Sequence, residues 1–285
     1  MATLKDIAQR AGVTATTVSR VINNRGYISE GTRKKVYAAM EEMHYQPNEL
    51  ARAFSKQYTN TIGLIVPHIS HPFFIKVISN LESSAAEKGF KLLLCNSKEQ
   101  PEKEQDYLDM CISNRVAGIV LCSKYVQTRE FRKMNIPVVN LERGGDDDTI
   151  SVQCDNYQGG KLAAEHLIEC GCKNLLHFGG VAGKDMPADR RADGFSDVCK
   201  KAGIPYRILV SDRLQYGSMH YEDFIRRALQ EFPDVDGIFA SSDLIASQVI
   251  QVGAQMDKHV PEDIQLVGFD DVMISTVTTP QITTI

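Results

Sequence analysis

Hydrophobic residues follow two different spacings along this chain. In the N-terminal region they recur at helical intervals, in three groups separated by short polar stretches. Because residues three and four apart lie on one face of a helix, this spacing predicts three short amphipathic helices. Thr3, Thr14 and Ser29 stand at the predicted helix starts, where a side-chain oxygen can act as a cap, and Gly12 suits a left-handed end for the first helix. The three groups are Leu4, Ile7, Ala8 and Ala11; Val18, Val21 and Ile22; and Val36, Met40 and Met43.

From Thr61 onward, short apolar runs alternate with helical patterns, which predicts βαβ units and parallel sheets. The alternation forms two series that meet near residues 155–160. We therefore predict two similar α/β lobes, with a cleft for a ligand beyond the carboxyl ends of their strands. Strands are predicted at Ile62–Val66, Lys91–Cys95, Gly118–Cys122, Pro137–Leu141, Ile150–Gln153, Asn174–Phe178, Arg207–Val210, Gly237–Ala240 and Gln265–Gly268. Helices are predicted at Phe74–Lys88, Lys103–Asn114, Gly159–Cys170, Arg191–Ala202, Tyr221–Glu231 and Asp243–Gln255.

The first two predicted helices, joined by a turn that contains glycine, are arranged as in a helix-turn-helix motif. Such a motif places its second helix in the major groove of DNA, but a plain three-helix bundle with solvated charges would show the same periodicity. The distribution of charge favours DNA binding. Residues 1–58 hold nine Lys and Arg against five Asp and Glu, a net charge of +4, whereas the rest of the chain carries −8. A basic head on an acidic body is expected when only one end meets phosphate.

Several motifs make the chain similar to the LacI/GalR family of bacterial transcription regulators. Residues 11–23, AGVTATTVSRVIN, resemble the family's headpiece, and Tyr45-x-Pro47-Asn48-x-x-Ala51-Arg52 resembles its hinge. The resemblance continues through the body in residues 62–67, 155–156, 194–195 and 268–271. It implies an α/β fold class, with an all-α helix-turn-helix head on a two-lobed body like that of periplasmic binding proteins. The implied domains are a DNA-binding head at 1–47, a hinge helix and linker at 48–60, a first effector lobe at 61–157 and a second at 158–285.

The resemblance implies an allosteric repressor that binds a near-palindromic operator in double-stranded DNA as a homodimer. Ala15 and Thr16 are the expected specificity positions, and the hinge is expected to become helical only on DNA. Phe54 stands where the family usually places Leu as a minor-groove wedge, so it is expected either to wedge a base step or to face the partner hinge. The predicted DNA-binding residues are Thr3, Thr14, Ala15, Thr16, Thr17, Ser19, Arg20, Asn23, Asn48, Ala51, Arg52 and Phe54.

Polar and aromatic residues follow several predicted strands, where a cleft would lie. Aromatic rings cover the C–H surface of a sugar, while carboxylates and a guanidinium bond its hydroxyls, so this set suits a polyhydroxylated effector. The resemblance implies that Phe73, Arg191 and Asp243 touch the effector and that Asp155 lines the lobe junction. Asp185 replaces a basic residue of purine-sensing members, which favours a sugar or sugar phosphate over a nucleobase. The predicted effector-binding residues are Ser70, Phe73, Phe74, Asp155, Asp185, Arg191 and Asp243. Each acid alone could equally be a loop charge or a helix cap, and Phe74 could be a core residue.

Enzyme functions are not expected. Residues 179–185, GGVAGKD, are similar to a phosphate-binding loop, but Phe178 and Asp185 occupy the places of its required glycine and hydroxyl. Neither a Gly-x-Gly-x-x-Gly after the first strand nor a Gly-x-Ser-x-Gly is present. The competing hypothesis is a sugar-binding transport protein of the same two-lobed architecture, which would need an export signal and would have no use for a DNA-binding head.

The remaining sequence features concern cysteines, cofactors, cellular location and the end of the chain. Seven cysteines in mainly apolar contexts are expected to be reduced, and no metal or cofactor is expected, since His68 and His71 lack a nearby carboxylate. No apolar run reaches the length of a membrane span and no signal peptide is evident, so we expect a cytoplasmic protein, associated with the nucleoid through DNA. Residues 279–285 are similar to a segment that the family follows with further residues, so the chain is expected to be a fragment or an interrupted form.

Overall fold

The computed structural model describes residues 2–45, 58–123, 125, 136–144, 149–181 and 186–285. These residues form two compact units, Met1–Thr59 and Asn60–Ile285. The predicted hinge residues 48–57 lie outside the described ranges.

The N-terminal unit contains helices α1 (Leu4–Ala11), α2 (Ala15–Ile22) and α3 (Glu30–Glu42). Thr3 caps α1 in a capping box with Asp6, and Gly12, with a φ of 66°, ends that helix in the left-handed conformation. The apolar faces of the three helices meet in one small core. Ile7, Val18, Val21 and Val36 are all fully buried there.

The C-terminal unit contains two five-stranded parallel sheets. The first sheet has the order β2-β1-β3-β4-β5 and the second the order β10-β9-β8-β6-β7. We call each sheet with its helices a lobe. The first lobe comprises β1 (Thr61–Val66), α4 (Pro72–Glu87), β2 (Lys91–Asn96), α5 (Pro101–Ser113), β3 (Gly118–Leu121), β4 (Val138–Leu141) and β5 (Ile150–Val152). The second comprises α6 (Asn156–Glu169), β6 (Leu175–Val181), α7 (Arg190–Ala202), β7 (Tyr206–Ser211), α8 (Arg213–Ser218), α9 (Glu222–Glu231), β8 (Gly237–Ala240), α10 (Asp243–Gln255), β9 (Gln265–Gly268), α11 (Met273–Val277) and β10 (Thr283–Thr284).

Parallel pairing fixes where functional residues can lie. In the first sheet β1 pairs with β2 and β3, and in the second β6 pairs with β7 and β8, all in parallel. The carboxyl ends of all strands in a sheet therefore share one edge, and the loops after them can build one site. Buried strand residues such as Leu64, Ile65, Phe178 and Phe239 hold that edge in place.

Two glycines allow helices α6 and α7 to pack unusually closely. A Cβ on Gly160 would overlap the carbonyl group of Arg191, and a Cβ on Gly194 would overlap that of Tyr157. Because neither glycine carries a side chain, the two helix backbones come into direct contact. This contact fixes Arg191, in the first turn of α7, against the start of α6.

The predicted α/β class is confirmed, and each predicted strand and helix is found, some with the predicted bounds and the others with ends shifted by a few residues. Helices α8 and α11 and strand β10 were not predicted, since each is too short for a clear hydrophobic period. Among the described residues no helix has both the length and the apolar character needed to cross a membrane.

Candidate functional site

Helix α2 presents two side chains outward at helical spacing. Thr16 and Arg20 are both exposed and lie four residues apart, on the face opposite the buried Val18 and Val21. Thr14 Oγ accepts a hydrogen bond from the backbone N–H of Thr17 at 3.1 Å and so caps the helix. A short capped helix with one guanidinium and one hydroxyl on its free face has the shape and chemistry to enter a DNA major groove.

The other predicted DNA-binding residues of this unit have local structural partners. The amide of Asn23 donates to the carbonyl oxygen of Ser19 at 2.8 Å, closing the end of α2. Ala15 packs partly against the core, and Thr3 caps α1. These contacts leave Thr16 and Arg20 as the clearest candidates for base or phosphate contact. The predicted hinge contacts Asn48, Ala51, Arg52 and Phe54 lie outside the described residues.

In the C-terminal unit, a cavity opens at the carboxyl edges of both sheets. The first lobe contributes aromatic and acidic side chains, and the second contributes a guanidinium, hydroxyls and further carboxylates. The cavity therefore has the mixed apolar and polar lining of a small-molecule site. The lining includes Phe73, Phe74, His71, Glu99, Ser123 and Glu142 from the first lobe, and Asp189, Arg191, Tyr216, Ser242 and Asp270 from the second.

Arg191 is a buried cation in the lining of this cavity. Its Nε donates to the side-chain oxygen of Asn156 at 2.7 Å, and its terminal nitrogen Nη1 donates to the carbonyl oxygen of Ser241 at 2.5 Å. The guanidinium lies 3.5 Å from the centroid of the Phe269 ring, and its second terminal nitrogen lies 3.9 Å from a carboxylate oxygen of Asp270. These partners compensate for burying the charge and hold the guanidinium in one orientation.

Asp270 lies beside Arg191 in a strained loop after β9. Its φ of 101° lies in the left-handed region, which a non-glycine residue adopts only when its surroundings require it. Burial raises the pKa of this carboxyl from 3.8 to about 7, although the charge of Arg191 lowers it. Desolvation outweighs the ion pair because the two charged groups are separated by more than a hydrogen-bond length. Asp270 can therefore change protonation near neutral pH.

Two aromatic rings and an uncharged histidine from the first lobe line the opposite wall, beside the carboxylates of that lobe. Phe73 and Phe74 contact each other edge to face, with ring centroids 5.1 Å apart. His71 caps α4, where its Nδ1 accepts a hydrogen bond from the backbone N–H of Phe73 at 3.3 Å. Burial lowers the pKa of His71 to about 4, so the ring is uncharged at neutral pH. Since Nδ1 accepts, the proton is assigned to Nε2.

A chain of hydrogen bonds joins the two walls. Glu142, at the end of β4, accepts from the amide of Asn156 at 3.1 Å and from the backbone N–H of Cys154. Asn156 in turn accepts from Arg191. Two further contacts cross between the lobes: Lys76 Nζ donates to the carbonyl oxygen of Asp271 at 2.6 Å, and the rings of His68 and Tyr216 lie 5.5 Å apart.

The predicted effector residues have different positions in the structure. Phe73, Phe74 and Arg191 line the cavity, and Phe74 also belongs to the buried core. Ser70 is exposed and outside the lining, and Asp185 lies outside the described residues. Asp155 is an exposed helix cap that accepts from the N–H of Gln158 at 3.0 Å.

The structure corrects the expected position of Asp243. This residue is fully buried, and its carboxylate accepts from the N–H of Val272 at 2.9 Å and from the hydroxyl of Thr284 at 2.5 Å. Its side chain therefore fastens the loop after β9 instead of lining the cavity. Asp270, in that loop, takes the cavity position. Asp270 follows the end of β9 with only Phe269 between them. The reasoning that selected Asp243, namely its position just after a strand, therefore also selects Asp270.

No metal centre is evident in the described part of the chain, where no three His, Cys, Asp or Glu residues are grouped to hold an ion. The free cysteines there are Cys95, Cys111, Cys122, Cys154, Cys170, Cys172 and Cys199.

The two units thus define a class: a helix-turn-helix head in the same chain as a two-lobed, periplasmic-binding-protein-like ligand domain. Comparison with known proteins agrees in both parts. Residues 3–48 match the family described as bacterial regulatory proteins, lacI family, and residues 59–285 match periplasmic binding proteins and the sugar binding domain of the LacI family. The chain belongs to the LacI family. It is a DNA-binding transcription regulator and not an enzyme.

Three similar proteins illustrate the range of the family. A ribose operon repressor of Halalkalibacterium halodurans is 35% identical over 285 residues, covering 100% of this chain and 85% of that protein. A sucrose operon repressor of Pediococcus pentosaceus is 37% identical over 273 residues, covering 94% of this chain and 81% of its own length. A LacI-type regulator structure from Alkaliphilus metalliredigens, complexed with D-xylulofuranose, is 32% identical with a TM-score of 0.70, over 79% of this chain and 84% of that one.

Proposed function

We propose that this protein represses genes for carbohydrate use by binding a near-palindromic operator as a homodimer, and that a small sugar or sugar phosphate in the cavity controls this binding. Such a regulator would act in the cytoplasm, on the nucleoid. The observation that carries the proposal is the buried Arg191, oriented by Asn156 and Asp270 in a cavity walled by Phe73 and Phe74. Oriented charged groups beside aromatic rings are what a polyhydroxylated ligand requires.

The two-lobed geometry explains how a sugar can act as a signal. The Glu142–Asn156–Arg191 chain and the contact between Lys76 and Asp271 both join the lobes. A ligand that contacts both walls binds one arrangement of the lobes better than another and therefore shifts the population between them. The similar repressors named for ribose and sucrose, and the structure with D-xylulofuranose, support sugars as the first compounds to try.

The head is proposed to read the operator through Thr16 and Arg20, which are exposed on one face of α2. Binding-site selection from a random DNA pool, with the full chain, supplies the operator for the test. Arg20→Ala should weaken operator binding by about 1–3 kcal/mol, because a charge-assisted contact is lost. Gel-shift titration at fixed salt measures this change.

Arg10→Ala is the matched control for that experiment. It removes the same charge from the same unit, but Arg10 is already paired with Glu42 at 2.7 Å. The control should therefore weaken operator binding less than Arg20→Ala does. Equal affinities of wild type and Arg20→Ala would remove Arg20 from the recognition surface.

The effector role is tested on the same operator. Ribose, sucrose and D-xylulose are added to the complex, and operator affinity is measured with and without each compound. A ligand at 100 times its dissociation constant stabilises the protein by about 2.7 kcal/mol, so a thermal-shift assay reports binding independently. A change in operator affinity in either direction supports the proposal, whereas a sugar that binds without altering operator affinity contradicts it.

A further inference from the structure

Ser123 is a buried serine at the carboxyl edge of the first sheet. It follows β3 with only Cys122 between them, lines the cavity and is 2% exposed. Its Oγ has no hydrogen-bond partner among the residues that the structure describes. Buried hydroxyl groups in proteins are nearly always bonded, so a buried hydroxyl without a partner calls for an explanation. A ligand that supplies the missing partner explains it and agrees with the position of Ser123 in the lining.

Two other serines of the lining already have internal partners. Ser211 Oγ donates to the carbonyl oxygen of Gly180 at 2.9 Å, and Ser242 Oγ accepts from the N–H of Ile245 at 3.2 Å. These bonds fix the direction of both hydroxyls. The hydroxyl of Ser123 can instead turn between staggered positions about its Cα–Cβ bond without breaking a hydrogen bond. Ser123 is therefore better placed than Ser211 or Ser242 to bond a ligand.

The backbone around Ser123 is held firmly by the first sheet. The N–H of Cys122 donates to the carbonyl oxygen of Ile65 in β1 at 2.9 Å. Nε of the buried Arg143 donates to the carbonyl oxygen of Ser123, and Nη1 of the same guanidinium donates to the amide oxygen of Asn140 in β4 at 3.1 Å. The hydroxyl is thus presented from a rigid support. A group held in this way loses little conformational freedom when a ligand binds it.

We propose that Ser123 Oγ bonds one hydroxyl of the effector, and that the cavity thereby discriminates against the same compound without that hydroxyl. Serine and sugar hydroxyls each donate and accept hydrogen bonds, so they form a matched pair. An analogue that lacks the hydroxyl leaves the buried Ser123 Oγ unpaired and therefore binds less tightly. The inference rests on the proposed effector role and deepens it, because it names a residue of the first lobe that determines which polyhydroxylated compound is recognised.

Deoxy sugars test this contact directly. Calorimetric titration of the full chain first identifies which of D-ribose, D-xylulose and sucrose binds. That sugar is then compared with its monodeoxy analogues, in each of which one hydroxyl is replaced by hydrogen. In the wild type, the analogue that lacks the hydroxyl bonded by Ser123 should bind about tenfold more weakly than the parent sugar.

Ser123→Ala shows whether Ser123 causes that difference. The variant should bind the parent sugar about fivefold more weakly than the wild type does, and it should discriminate against the same analogue by only about twofold or less. The other analogues should keep their affinities relative to the parent sugar. A general distortion of the cavity would not change the relative affinity of one analogue alone. Without ligand, the variant should melt at the wild-type temperature or above it, because the hydroxyl that it loses has no partner.

Ser196→Ala makes the same chemical change at a buried serine of α7 outside the lining, whose hydroxyl shares a hydrogen bond of 2.8 Å with that of Tyr206. This control should melt at a lower temperature than the wild type but keep the discrimination among the analogues. If Ser123→Ala also keeps it for every analogue, the inference is wrong, while sugar-controlled regulation stands. If a preparation that binds the operator binds none of the three sugars, both the inference and the proposed effector role are contradicted.

Discussion

The raised pKa of Asp270 leads to a prediction that stability measurements can check. Asp270→Asn keeps the shape of the protonated side chain but removes the possibility of ionising beside Arg191 and Phe269. In the wild type, burial raises the pKa of this carboxyl from 3.8 to about 7. Between those two values the folded protein keeps a proton that the unfolded chain has released. The contribution of Asp270 to stability therefore falls as the pH rises through this window.

The size of the effect follows from the shift in pKa. A difference of about three pKa units, at 1.36 kcal/mol for each, corresponds to about 4 kcal/mol. The variant and the wild type should be equally stable near pH 4, and the variant should be more stable by up to about this amount near pH 8. His71 and His177, whose burial lowers their pKa to about 4, act in the opposite direction below pH 6.5. Both proteins contain them, so their contribution cancels in the difference.

Urea denaturation at several pH values between about 4 and 8 measures this difference. Asp234→Asn, a change at an exposed aspartate, is the control and should give a difference that varies little with pH. A stability difference for Asp270→Asn that does not grow with pH would refute the burial argument. At pH 8, where Asp270 is ionised, the same variant should also reduce the response of operator binding to a sugar, because a neutral amide cannot act as a charged acceptor for ligand hydroxyls.

Two other predictions concern helix packing and the hinge. Gly194→Ala should destabilise the C-terminal unit by at least about 2 kcal/mol, because its new methyl group overlaps the backbone of Tyr157. Gly217→Ala is the control: the position has open space around it, so the melting temperature of this variant should stay close to that of the wild type. Phe54→Ala should lose most operator affinity but keep weak, salt-sensitive binding to other DNA. Phe54→Leu should retain most of the operator affinity, since Leu can also enter a base step. Operator affinity and DNA bending, measured for the wild type and both variants, test whether residue 54 is a wedge. An Ala variant that binds the operator and bends the DNA as the wild type does would show that it is not.

Periodicity predicted the architecture well because the helices of the N-terminal unit bury one apolar face each, and strands β1, β6 and β8 are apolar and largely buried. Strand β8 and helix α10 were predicted with the bounds that the structure shows. Helices α8 and α11 are too short to show a period, and they are held by contacts from distant parts of the chain. In α8, for example, the ring of Tyr216 lies 5.5 Å from the ring of His68 in the first lobe, and just before α11 the N–H of Val272 donates to the carboxylate of Asp243. Such contacts become visible only when the fold is known.

The cavity was harder to predict because a residue after a strand can point in either of two directions. Asp243 and Asp270 both follow strands of the second sheet, yet Asp243 points into the protein toward Thr284, while Asp270 faces the cavity. The left-handed φ of Asp270 redirects the chain at that residue, and sequence alone does not indicate a positive φ for aspartate. Glu142, with a φ of 49°, was missed for the same reason. Left-handed backbone conformations thus accompany the placement of Asp270 and Glu142 at the ligand site.

The network around Arg191 also shows why ligand binding and lobe arrangement cannot be independent in this protein. Arg191 is fixed to α6 through Asn156, and Asn156 is fixed to the first lobe through Glu142. A ligand that draws Arg191, Asp270 or Glu142 into new hydrogen bonds alters groups that themselves join the lobes. The free energy of binding is therefore shared with the free energy of lobe closure, and by linkage each must change the other by the same amount. A substitution that weakens the junction without touching the ligand, such as Lys76→Met at the bond to Asp271, should accordingly change sugar affinity, and unchanged affinity would show that this contact does not distinguish the two arrangements.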